Sequence, residues 1–149
     1  MIDGVIISPL RKIPDDRGAV MHMMKATDDG FHGFGEVYCS TVFPEVVKGW
    51  HVHDRVFLNY VVLTGMIKFV LHDDRPGSRT EGETQEIYMG EDNYVRVTVP
   101  PFVWNGFKGI GTTPAYVVNM INEPHDPNEI RRTDPHSSHI KYSWERKDR

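Results

Sequence analysis

Residues 48–65 read Lys-Gly-Trp-His-Val-His-Asp-Arg-Val-Phe-Leu-Asn-Tyr-Val-Val-Leu-Thr-Gly. In an extended chain successive side chains alternate between two faces, so His51 and His53 share one face and Val52 takes the other. A second apolar, β-branched run follows at 58–64, and Gly65 separates it from a third at 66–72. This pattern predicts a tight hairpin whose backbone at Gly65 a Cβ would strain. Outward from this stretch the two-residue period recurs in short runs at 3–8, 19–25, 34–42, 46–53, 85–89, 94–99, 102–107, 115–121 and 139–144. Gly, Pro, Asp and Asn punctuate them, most plainly at Pro14 to Gly18, Asp28 to Gly30, Asp73 to Gly82 and Gly90 to Asn93. Many short strands without intervening helices read as an all-β barrel or sandwich. One helix start stands out: Asp126-Pro127-Asn128-Glu129 offers a capping side chain, a proline at the first helical position and a glutamate at N3. A short C-terminal helix is predicted there, ended by Asp134-Pro135.

A chain of 149 residues holds one domain with a substantial core, so 1–149 is read as a single unit. Lys and Arg number 17 against 21 Asp and Glu, a formal charge of −4 that gives no field for nucleic acid or an anionic membrane. No apolar run approaches the length of a membrane span. Cys39 is the only cysteine, which excludes an internal disulfide and a thiolate metal cluster. The N-terminus, Met-Ile-Asp-Gly-Val-Ile-Ile, lacks the basic region of a signal peptide, so a cytoplasmic location is expected.

If the shared face of His51 and His53 is the interior, both imidazoles meet in a cavity. Trp50, Phe57, Tyr60, Trp104 and Phe107 could wall it, although each suits core packing equally well. The tail histidines His125, His136 and His139, with Asp126 and Asp134, have no recognised metal-ligand spacing.

Four stretches carry a resemblance: Asp15-Asp16-Arg17-Gly18, Lys48-Gly49-Trp50-His51, Asp73-Asp74-Arg75-Pro76-Gly77-Ser78-Arg79-Thr80-Glu81-Gly82, and Val99-Pro100-Pro101-Phe102-Val103-Trp104-Asn105-Gly106-Phe107. Their order and spacing resemble the dTDP-4-dehydrorhamnose 3,5-epimerase family of the cupin superfamily over roughly residues 3 to 144. The resemblance implies a cupin, or jelly-roll, β-barrel. It implies action on a nucleoside-diphosphate 4-keto-6-deoxy sugar, with no cofactor, in a homodimer; exposed edge strands invite the same pairing. It assigns His51 as the base that takes a proton from the carbon beside the ketone, a role suited to imidazole near neutrality. Arg17 and Lys48 then hold the diphosphate. The further substrate contacts expected are His53, on the face shared with His51; Trp104, as part of an aromatic wall; and Asn105 and Asn119, at altered family positions. The departures are equally specific. Leu58 stands where a metal-binding cupin has a carboxylate and where this family has a lysine, Asn105 replaces a histidine, and Asn119 aligns with the tyrosine that donates a proton on the opposite face. A carboxamide is no general acid. Three readings follow: a metal-free epimerase or isomerase, a non-catalytic nucleotide-sugar-binding protein of the same fold, or a metal-dependent small-molecule cupin completed by residues such as His22 or Asp54.

Overall fold

A computed structural model of the protein describes residues 1–148. The β-branched runs form two five-stranded antiparallel sheets packed face to face. The first has the order β1 (Ile6–Pro9), β9 (Val95–Val99), β6 (Leu58–Thr64), β11 (Ala115–Ile121) and β4 (Glu36–Val42). The second runs β12 (Ile130–Arg132), β5 (Val47–His53), β10 (Val103–Ile110), β7 (Met66–Asp73) and β8 (Thr84–Gly90). A small hairpin, β2 (Lys12–Asp15) with β3 (Gly18–Met21), forms a separate ribbon. The interleaved order of the strands gives the expected all-β jelly roll.

Leu58, Tyr60 and Val62 of one sheet meet Ile67, Phe69 and Leu71 of the other in the main core. β6 and β7 therefore do not pair, against the hairpin expected around Gly65. Both strands have an apolar face to bury, and the sandwich buries the two faces against each other. Gly65 turns the chain from one sheet to the other at φ 76°, and a Cβ there would lie 2.7 Å from Ala115 Cα. The demand for glycine is real, but the connection it makes is different.

The short C-terminal helix is not formed. Residues 126–129 make a single turn in which Asp126 accepts the Asn128 N–H at 2.9 Å, and the chain then enters β12. Glu129, read as an N3 cap, turns its carboxylate away to His53 and to the N–H groups of Asp54 and Arg55. Nor do residues 139–144 join a ladder. Their alternation instead seats Ile140, Tyr142 and Trp144 against Trp50, Val52, Val70 and Trp104 on the outer face of the second sheet. Lys68 and Lys108, cross-strand neighbours on that face, both donate to the Trp144 carbonyl, at 3.3 and 3.2 Å. A two-residue period reports one-sided burial, which a strap satisfies as well as a strand.

Candidate functional site

The largest consequence of strand alternation falls on β5. Opposite β10, His51 pairs with Asn105 and Lys48 with Phe107, so one extra β5 residue is accommodated as a bulge. Trp50 and Val52 accordingly point to the outer face, while Lys48, His51 and His53 all point inward. Gly49 permits the close approach: a Cβ there would lie 2.8 Å from Gly106 Cα.

These three side chains line a cavity of about 320 Å³ between the sheets. Edge strand β4 adds Glu36, Tyr38 and Ser40 from the facing sheet, and edge strand β12 adds Ile130 and Arg132. Val56, Tyr60, Phe107 and Ile121 supply apolar surface. Lys48 Nζ donates to Ser40 Oγ at 2.9 Å, spanning from one sheet to the other. Lys48 and Arg132 give the cavity two cations.

His51 is held by a closed set of hydrogen bonds. Asn105 Nδ2 donates to the His51 carbonyl at 3.2 Å, which turns Asn105 Oδ1 toward Tyr60, whose hydroxyl donates to it at 3.3 Å. With that proton committed, the contact of 3.2 Å between His51 Nε2 and Tyr60 Oη is satisfied by an Nε2–H donor. His51 is then the tautomer with its lone pair on Nδ1. Burial, together with the neighbouring His53 and Arg132 charges, lowers its pKa to about 3. Near neutrality His51 is an uncharged imidazole, the form that accepts a proton. Burial raises the Tyr60 phenol well above its ordinary range, so this hydroxyl stays protonated.

His53 sits deeper, and its Nδ1 bonds the Glu129 carboxylate. Glu129 is 3% exposed, and its other oxygen accepts Asp54 N–H at 3.1 Å and Arg55 N–H at 3.2 Å. Burial lowers the His53 pKa and outweighs the upward pull of Glu129. Among the described residues, no three His, Cys, Asp or Glu side chains are grouped to hold a metal ion.

The other site residues expected from sequence are placed as follows. Asn105 is fully buried behind His51 and orients it. Asn119 lies beneath Tyr38, its Oδ1 accepting Asn59 N–H at 3.1 Å and its Nδ2 donating to Tyr38 Oη at 2.9 Å. Trp104 belongs to the opposite face: it alternates with Asn105, packs in the outer cluster and donates Nε1 to Asp74 at 2.8 Å, so it forms no part of the cavity wall. Arg17 stands at the tip of the β2–β3 hairpin, paired with Asp15 at 2.6 Å and outside the cavity of its own chain. Leu58 is a core residue. The Asp73 to Gly82 stretch is a turn built on the buried Asp73 carboxylate. It accepts Arg75 Nε at 2.8 Å and the Ser78 and Thr80 hydroxyls, each at 2.6 Å. Sequence reasoning did not single out Tyr38, Glu129 or Arg132 as site residues. Alternation along 34–42 groups Glu36, Tyr38 and Ser40, but nothing local says that this strand borders the cavity.

A family model for dTDP-4-dehydrorhamnose 3,5-epimerase matches residues 1–149. SpsL of Bacillus subtilis, a spore coat polysaccharide biosynthesis protein, is 36% identical over 134 residues, covering 88% of this chain and 89% of the relative. Agl13 of Haloferax volcanii, described as a probable low-salt glycan biosynthesis epimerase, is 31% identical over 135 residues, covering 87% of this chain and 86% of the relative. A crystal structure described as a dTDP sugar isomerase from Desulfovibrio desulfuricans superposes with a TM-score of 0.93 at 38% identity, covering 96% of this chain and 92% of that one.

Proposed function

The chain belongs to the dTDP-4-dehydrorhamnose 3,5-epimerase family, and from that premise we propose that it epimerises or isomerises a nucleoside-diphosphate 4-keto-6-deoxy sugar by metal-free proton abstraction beside the ketone. The observation that carries this reading is His51: a neutral imidazole on a cavity wall, its Nε2 engaged by Tyr60, with two cations lining the same cavity. Breaking the C–H bond puts a proton on imidazole and negative charge on the ketone oxygen. Lys48 and Arg132 are the cations available to that charge and to the diphosphate. Family members use a lysine at the Leu58 position, and its loss here shifts the electrostatic work to these two.

The cavity lies near the lower end of ligand-pocket sizes, roughly 300–1,000 Å³, which suits a sugar ring inside and a nucleotide across the mouth. Edge strand β4 lines the cavity, and the β2–β3 hairpin stands apart with Val20 60% and Ile13 40% exposed. An isolated two-stranded ribbon is marginal in water, and an open edge invites pairing. We therefore read the working form as a homodimer in which the hairpin of one copy covers the β4 edge of the other and brings Arg17 to its cavity. Light scattering should give a dimer, and deleting residues 12–21 should leave a monomer with weakened nucleotide binding.

Proton NMR of 4-keto sugar nucleotides in heavy water tests the chemistry. Deuterium should enter the carbon beside the ketone with the unaltered protein and not with His51→Gln. No incorporation at high protein concentration refutes it, and saturable binding without exchange would establish the binding-protein reading instead.

A further inference from the structure

Position 119 is where the family's acid is expected, and here it is asparagine. In register with Asn119 on the adjacent strand is Tyr38. We propose that Tyr38 is the proton donor facing His51 across the cavity, supplied by β4 in place of a tyrosine on β11. This rests on the proton-abstraction reading above and adds the identity of the second group.

Three observations support it. The first is position: His51 projects from β5 of one sheet and Tyr38 from β4 of the facing sheet, and both line the same cavity. A sugar ring between the two walls presents one face to each group. The second is hydrogen bonding. Asn59 N–H occupies Asn119 Oδ1, which fixes the amide so that Nδ2 donates to Tyr38 Oη at 2.9 Å. The phenol oxygen is thus held as an acceptor, and its own hydrogen is left for a ligand. When the phenol gives up that hydrogen, the same Nδ2–H stabilises the phenolate. Asn119 becomes a positioning residue for the acid that replaced it. The third is protonation: burial raises the Tyr38 pKa, so the hydroxyl carries its proton at neutral pH.

The reaction balances with these two groups. His51 Nδ1 takes the proton as the C–H bond breaks, and the electron pair moves into the enolate. The enolate carbon then takes the Tyr38 hydroxyl proton on its opposite face as the ketone re-forms. His51 is left as imidazolium and Tyr38 as phenolate, and water at the mouth carries one proton from the first to the second. The outcome is inversion at the attacked carbon.

Tyr38→Phe separates the two half-reactions. Tyr38 is 41% exposed and the change removes one oxygen atom, so the fold should be kept, with some stability lost because the Asn119 Nδ2 donor is left without its acceptor. In heavy water the variant should still exchange the proton, within about threefold of the unaltered rate, because His51 can return a deuteron to the face it came from. Inversion should fall about 100-fold or more, the scale of a lost general acid, and NMR should show labelled substrate of retained configuration. Unchanged inversion overturns the proposal, as does an equal loss of exchange and inversion. Absence of exchange in the unaltered protein is a different result, which refutes the His51 reading itself.

Discussion

Replacing His51 by glutamine should change how the stability of the protein depends on pH. The folded pKa of His51 is about 3, and an unfolded histidine titrates near 6.5. Between those values the unfolded chain binds a proton that the folded chain refuses. Stability is therefore lost as pH falls from about 6.5, with no further loss below about 3. The slope approaches about 1.4 kcal/mol per pH unit for one such group, so the fall from pH 7 to pH 5 is about 2 kcal/mol at most. His51 borders a cavity open to solvent, and screening reduces this to about 1 kcal/mol. Glutamine retains an N–H for Tyr60 and does not titrate. Urea unfolding of both proteins at pH 7 and pH 5 gives the double difference: the variant should lose about 1 kcal/mol less on acidification. His53, also held below its ordinary pKa by burial, is present in both proteins and cancels. An identical loss in the two proteins would mean that His51 titrates as an exposed histidine, and the neutral base on the cavity wall would be refuted.

Asp73→Asn should destabilise the protein by about 3 kcal/mol, because a fully buried carboxylate partners Arg75, Ser78 and Thr80; a thermal melt measures it, and nucleotide binding should be untouched. Burial raises the Asp73 pKa, but these hydrogen bonds win and hold it below the usual range, so its contribution persists at neutral pH and is lost as the carboxylate protonates in acid. Trp144→Ala removes a side chain 2% exposed and leaves the strap over Trp50 unfilled, a loss of about 3–5 kcal/mol by urea titration. Lys48→Ala and Arg132→Ala should each weaken nucleoside diphosphate binding roughly tenfold by calorimetry, the worth of one charged hydrogen bond. Trp104→Phe, on the outer face, should leave that affinity unchanged.

The strands were largely legible because their period-two burial is written locally, and so was the sharing of one face by His51 and His53. The acid site at position 119 was legible as a loss. Its replacement was not, since Tyr38 lies 81 residues away and only strand order makes the two neighbours. Helix signals at Asp126 to Glu129 misled for a related reason: the glutamate that a local cap would use is claimed by His53 from another strand.

By itself the sequence determined an all-β barrel or sandwich, one shared face for the His51 and His53 imidazoles, and that Leu58 and Asn119 break the family's pattern. Only the tertiary structure shows how Lys48, which the resemblance set at the diphosphate, comes to share the imidazoles' face. Residues 48 and 51 differ by an odd number and would face opposite ways on a regular strand. The bulge against β10 absorbs the extra residue, and a register mismatch between two strands is a property of neither one's sequence.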